Sequence, residues 1–483
     1  MARRRGPAGL VVVAGLACAA LPAAAGAAFP GTSLQRLSVT RGGGAGNGAS
    51  RNPVISQDRR WARLAAFESD ATDIVPGAGA YTNVYVVRRA HPYDANGSPW
   101  RARRTILVSR GRGGAPANGP SGQPSLSGTS RVAPRCVAFV SAASNLVAGD
   151  TNGTPDAFVR DVRTGVTRRV SVDSHGRQSR GSVSEVAVNG LCTRVAFVSG
   201  GGDLALTRAR NRSWRSAVTR PSPAGRRQVY VRGLGGRTGI EQALRGLTFL
   251  ASATPGGVPG DGDSHAIAFS TNSRAVTFAS DAGNLTGADR NGRSDVYQRT
   301  MVRSYLPKRD GHRAQQLTMA TRLVSAGPDG LAGDGDSSAP ATNVTGGVVA
   351  YTTTAPALIG RASSAAQVVQ AQVGDGPVRT RLASRTASGA PGNGPSADAS
   401  VTAGGSWVIF DSAATDVAVT TRRTPDTNMA RDAMLFTQPT GERWLLGERG
   451  GGGPTSHPRT SPHGNYVVFE RGGQVDLLYV GPK

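Results

Sequence analysis

Residues 137–161 read V-A-F-V-S-A-A-S-N-L-V-A-G-D-T-N-G-T-P-D-A-F-V-R-D. Apolar Val137, Phe139 and Phe158 alternate with small or polar residues, and a D-T-N-G turn separates the two halves. The pattern predicts strand, long polar turn, strand. Worn copies of it fill most of the chain. An aromatic closes an alternating strand at Phe67, Phe139, Phe197, Phe278, Tyr351, Phe410 and Phe469, which makes seven copies. Self-similarity on this scale marks an array of like units.

Each anchor has the same flanks. Upstream comes a short strand and turn, as in P-V-I-S-Q-D from Pro53, P-S-L-S-G-T from Pro124 and P-R-T-S-P-H-G from Pro458. Downstream comes a third strand, such as Val84–Val87, Ala157–Val159, Val229–Val231, Val296–Gln298 or Ala433–Phe436. A fourth follows at Thr105–Ser109, Thr167–Val172, Thr321–Ser325 and Arg379–Ser384. Each unit is therefore four antiparallel strands, A to D.

The termini predict how the units close. Leu34–Thr40 matches a D strand with no A, B or C before it, and Asp476–Val480 is a C strand with no D after it. A ring in which the first strand completes the last sheet accounts for both. Closure leaves only short, protected edges. The expected fold is all-β: a seven-bladed β-propeller of four-stranded antiparallel blades. A pair of β-sandwiches or a linear β-solenoid predicts no such complementary ends.

The stretch Pro458-Arg-Thr-Ser-Pro-His463-Gly-Asn-Tyr-Val-Val-Phe469 resembles the WD40-like (PD40), TolB-type propeller repeat. That pattern is P-x-x-S-P-D-G followed by an apolar strand ending in Phe; His463 stands in place of the Asp. The resemblance implies a propeller scaffold used for docking rather than a specific activity.

The start of the chain reads as an export signal over residues 1–28. Arg3-Arg4-Arg5 precedes an apolar run from Leu10 to Leu21 and small residues from Ala23 to Ala28. Cleavage is expected, with a retained anchor as the alternative. No later segment approaches about 18 apolar residues, so no transmembrane segment is expected after removal of the signal. The mature chain, 29–483, is read as one monomeric propeller domain with blade inserts at about 91–104, 200–227 and 300–316. Its expected place is extracellular, in the cell wall or in the periplasm. There Cys136 and Cys192 either pair or remain two buried thiols.

The net charge of +25 is almost wholly arginine, with lysine only at Lys308 and Lys483. Such a surface favours anionic partners, with no specific nucleic-acid recognition expected.

In a four-stranded blade the B–C and D–A connections emerge on one face, and the A–B and C–D connections on the other. Three B–C loops share one spacing: Asp150, Asn152, Asp156; Asp289, Asn291, Asp295; and Asp426, Asn428, Asp432. Oxygens so spaced suit calcium, but Asp and Asn also cap their own turns, and both readings stay open. Asn-Gly or Asp-Gly in the D–A loops, as at Gly48, Gly119, Gly262, Gly335 and Gly394, is expected to supply positive φ for a sharp reversal. The 200–227 insert gathers Arg208, Arg210, Arg212 and Arg215 around Trp214, a candidate grip on an anionic or sugar-like surface.

No nucleophile elbow or zinc motif occurs, and the six histidines show no ligand spacing. His457 and His463 read as turn residues. No catalytic residue is assigned and no cofactor is expected beyond the calcium option. The preferred expectation is an exported non-catalytic module that binds an envelope protein or an anionic extracellular polymer. The competing one is a hydrolase or lyase acting on glycans through acidic residues at the channel mouth. A purely structural role is the third.

Overall fold

The computed structural model describes residues 33–58, 62–90, 100–204, 222–223, 225–236, 241–242, 244–307, 313–417, 428–438, 440–446 and 453–480, with backbone only over 302–307 and 313–318. These residues form seven four-stranded antiparallel sheets around one axis. Blade 1 comprises β2 (Ser50–Ile55), β3 (Leu64–Ser69), β4 (Asn83–Arg89) and β5 (Ala102–Leu107), in that spatial order. Blades 2 to 6 repeat it. In blade 7, β26 (Thr455–Thr460), β27 (Tyr466–Arg471) and β28 (Gln474–Tyr479) come from the end of the chain, and β1 (Ser33–Arg36) lies outermost. Leu34 faces Leu478 and Arg36 faces Asp476 across that last pair. The chain is a seven-bladed propeller closed by its first strand.

Successive side chains of a strand point to opposite faces, and blades stacked face to face bury both. On β3, Leu64 and Ala66 pack towards Val137 and Phe139 of blade 2, while Ala65 and Phe67 pack towards Tyr466 and Val468 of blade 7. The second strands are therefore apolar almost throughout. Their anchors are fully buried, each contributing about 2–3 kcal/mol of transfer free energy. In blades 1 to 4 the anchor meets an aromatic directly opposite on the third strand: Phe67 with Tyr85, Phe139 with Phe158, Phe197 with Tyr230, and Phe278 with Tyr297. Their centroids lie 5.7–6.0 Å apart in near-parallel stacks. Such a pair adds about 1 kcal/mol beyond area burial.

The 300–316 insert takes the form of a lengthened hairpin: β16 (Asp295–Pro307) and β17 (Arg313–Leu323) stay paired from Tyr297–Leu323 out to Pro307–Arg313. Two expectations need correction. Residues 102–104, read as the end of the first insert, already belong to β5. The D–A glycines are not there for positive φ. A Cβ on Gly48 would stand 2.6 Å from the backbone nitrogen of Ala71, and one on Gly394 2.6 Å from the Ala413 carbonyl oxygen. They are needed because the loop presses against the end of the second strand of its own blade.

Cys136, at the start of β7 (Cys136–Ser141), is joined to Cys192 in the A–B turn of blade 3, with Cα atoms 5.9 Å apart. The disulfide pins two neighbouring blades on the A–B and C–D face. No helix among the described residues is long and apolar enough to cross a membrane.

Candidate functional site

The first strands of the blades line the axial channel, and each carries one irregularity. In all seven blades the ladder to the second strand slips after the first or second residue, as between Arg51 and Val54 or Ser456 and Arg459. The third residue is then Asn52, Gln123, Glu185, Ala266, Ala339, Asp398 or His457. Six of these have φ of 50–55°, in the left-handed region; Glu185 is the exception. Holding a non-glycine residue there costs roughly 1–2 kcal/mol.

Carboxylates from the preceding blade meet the backbone so exposed. Glu470 accepts the Asn52 N–H at 2.7 Å, Glu68 accepts that of Gln123 at 2.7 Å, and Asp411 accepts that of His457 at 3.3 Å. Glu185 accepts the N–H groups of Ala266 and Ile267 at 3.0 and 3.1 Å. These acids are struts between blades.

The most charged part of the wall spans blades 6, 7 and 1 near the B–C and D–A face. His457 is not a turn residue: it sits on β26, pointing between Asp398 (Nε2 to Oδ2, 3.3 Å) and Glu470 (Nδ1 to Oε1, 3.3 Å). The Glu470 carboxylate 3.3 Å away, with the charge of Asp398, raises the imidazole above its ordinary value despite burial. Burial alone would raise Glu470, but His457 and the Asn52 N–H hold it below the usual range. Asp411 is pushed up by burial and by the charge of Asp398, although Arg431 binds it. Arg51 pairs with Glu68 at 2.9 Å and Asp70 at 2.7 Å. Beneath this rim lie two hollows of about 270 and 390 Å³, both bordered by Phe269, Thr271 and Arg459.

The Asp-x-Asn loops lie on different blades and are not brought together. In blade 2, Asn152 bonds Asp156 and the Ser179 carbonyl, and Gln178 donates to both Asp150 and Asp156 at 2.8 Å. Arg169 lies 3.3 Å from Asp150 and 3.6 Å from Asp156, so a guanidinium occupies the space between the two acids. In blade 4, Asn291 bonds Asp295 and the Gly333 carbonyl, and Tyr297 donates to Asp289. Asp295, buried at the head of β16, is pushed up to about 6, against the hydrogen bonds of Ser325 and Asn291. In blade 6, Asn428 caps the Ala430 N–H and Asp432 accepts from Thr455; Asp426 lies outside the described residues. Among the described residues no group of three His, Cys, Asp or Glu is placed to hold a metal.

Arg208, Arg210, Arg212, Trp214 and Arg215 lie outside the described residues. The strands that their segment connects, β11 (Arg194–Ser199) and β12 (Gln228–Gly233), are the B and C strands of blade 3. The reading of the sequence missed the His457 cluster and the struts. One signal was present: in three copies the residue after the anchor aromatic is acidic, namely Glu68, Asp411 and Glu470.

No family model matches the chain, and no curated protein matches it in sequence. Solved structures do. It is similar to an oligogalacturonate lyase from Vibrio parahaemolyticus, with 10% identity over 92% of this chain and 93% of that one and a TM-score of 0.46. It is similar to the β-propeller domain of the Trilobed protease from Pyrococcus furiosus, with 10% identity over 89% and 93% and a TM-score of 0.44. A TolB-type protein from Agrobacterium tumefaciens matches at 11% identity over 78% and 92%, with a TM-score of 0.35. At such identities the likeness concerns architecture alone, the propeller that the seven four-stranded sheets already define.

Proposed function

We propose that the protein is an exported, non-catalytic propeller that binds an anionic extracellular polymer. The observation that carries this reading is the state of the channel acids. Glu68, Glu185, Asp411 and Glu470 are each bonded to the backbone of the next blade, and His457 fills the space between Asp398 and Glu470. Glycoside cleavage by paired carboxylates needs two such groups facing a common open space, and this arrangement offers none. The charge of +25 then selects the sign of the partner. A disulfide between blades 2 and 3 supports an oxidising compartment.

Glycan cleavage remains the second reading, because an imidazole held between two carboxylates is also a proton-transfer arrangement. Co-sedimentation of the mature protein with insoluble wall and polysaccharide fractions at low and high salt tests the proposal. Retention at low salt that weakens at high salt is expected. Failure to bind any fraction at either salt would overturn it.

A further inference from the structure

A second concavity lies away from the channel, on the A–B and C–D side of the seam between blades 1 and 2. It has a volume of about 760 Å³, and its lining includes eight arginines and no carboxylate. Three of these are engaged: Arg63 with Asp58 at 3.3 Å, Arg135 with Asp161 at 2.9 Å, and Arg89 over the Tyr466 ring at 5.0 Å. Asp161 also caps the N–H groups of Arg163 and Thr164, so its charge is turned into its own hairpin.

Among the described residues the other five meet only neutral partners or none. Arg88 crosses the seam to the Val162 carbonyl at 2.9 Å, and its Nε has no hydrogen-bond partner. Arg160 donates to Thr167 at 2.7 Å. Arg103, Arg104 and Arg163 are exposed and have no partner among the described residues.

Two features of the sheet crowd these cations together against its own stability. Arg88 faces Arg104 directly across the β4–β5 ladder, a like-charge pair that opposes strand pairing. The register shifts between Arg88 and Arg89, whose partners are Arg104 and Ala102, so Arg103 is the extra residue of a bulge. A bulge re-aims side chains, and here both neighbouring arginines reach the groove. Beyond Arg135 and Thr164 the groove continues into a second one of about 530 Å³, which adds Arg168 and runs past Cys136 and Cys192 to Leu234 of blade 3; its two carboxylates, Asp161 and Glu241, are paired with Arg135 and Arg194.

The track is long, cationic and free of aromatic side chains in its main part. A single small anion leaves most of the guanidiniums unmatched, and nucleic-acid bases find no ring on which to stack. Guanidinium forks match repeated acidic groups two-point. We infer that the blade 1–blade 2 seam is the binding track for a linear polyanionic glycan. This rests on the polymer-binding reading above and gives it a site, on the A–B and C–D face.

The test is titration of fluorescein-labelled alginate with the full mature protein and three variants. R103S/R104S/R163S changes exposed side chains only and should weaken binding at least about tenfold with melting unchanged or, because the Arg88–Arg104 repulsion is relieved, slightly raised. R274S/R290S/R361S removes the same charge from exposed positions outside the groove and should change binding less than about twofold. R208S/R210S/R212S/R215S should likewise bind normally. Undiminished binding by the groove variant, or equal loss in the first two variants, overturns the assignment. Loss confined to the insert variant moves the site to that loop. Tighter binding of a single-stranded oligonucleotide of equal charge contradicts the glycan. If the wild-type protein ignores alginate and every wall fraction, the polymer reading falls as well. If it binds and only the groove variant fails to differ, the placement alone falls.

Discussion

Ser38 Oγ donates to Gln474 Oε1 at 2.7 Å across 436 positions of sequence, and accepts the Val475 N–H at 3.0 Å. The same two bonds occur inside the other blades: Ser109 with Asn83 and Val84, Ser171 with Asp156 and Ala157, Ser325 with Asp295 and Val296, Ser384 with Gln367 and Val368. In these blades the outermost strand is pinned to its neighbour by one serine, and the ring is closed by that same device; in blade 6 Thr455 of β26 takes the serine's place. Ser38→Ala should therefore cost as much as Ser171→Ala, about 1–3 kcal/mol each in urea unfolding, because both leave a buried acceptor and an N–H unmet. A neutral Ser38→Ala beside a costly Ser171→Ala would mean that the first strand is a loose appendage.

The struts make a separate prediction. Glu185→Ala strips two N–H groups of their acceptor and should destabilise by roughly 1–3 kcal/mol, as measured by chemical denaturation. Ala266→Gly relieves φ of 52° and should be neutral or stabilising by up to about 1 kcal/mol, which is opposite to the usual cost of glycine in a strand. A clearly destabilising Ala266→Gly would remove backbone strain from the account.

His457 sets a pH dependence with a definite sign. Its folded-state value lies above 6.5, so its stabilisation is complete below about 6.5 and is lost as pH rises through the raised value. Glu470, held below 4.5, contributes above that pH, and its share is lost as pH falls through the lowered value. The junction of blades 6, 7 and 1 should be tightest between the two. Melting temperatures from pH 5 to 9 should fall more steeply for the wild type than for His457→Gln above pH 6.5. Parallel curves would show that the imidazole is not charged in the fold.

The Asp-x-Asn loops read as turn caps. Millimolar calcium should leave the melting temperature unchanged, because Arg169, Gln178 and Asn152 already serve the blade 2 acids. A saturable rise of several degrees, lost in Asp150→Asn, would reveal a calcium site.

Much of the ring was legible because its determinants are local and repeat. The anchor aromatics, the D–A turns and the orphan strand at Leu34 each mark a blade without reference to any distant residue. What escaped the sequence is what depends on neighbours. Glu68 and Gln123 are 55 positions apart, and only the stacking of blades makes one the acceptor of the other. His457 follows a serine and precedes a proline, as a turn residue would, yet a bulge turns it into the channel. Gly48 looks like a residue chosen for positive φ, and its real constraint is the Ala71 backbone beside it. The arginine groove was hidden for another reason: its members come from three strands and three connections, and nothing in the spacing of Arg88, Arg104 and Arg163 announces that they converge.

The most direct measurement joins binding to chemistry in one incubation. The mature protein is mixed with alginate of defined length at low salt, and the mixture is analysed for bound polymer and for new chain ends. The account predicts a complex that dissociates at high salt and releases polymer of its original length. Shortened chains, or polymer that never associates, would contradict it.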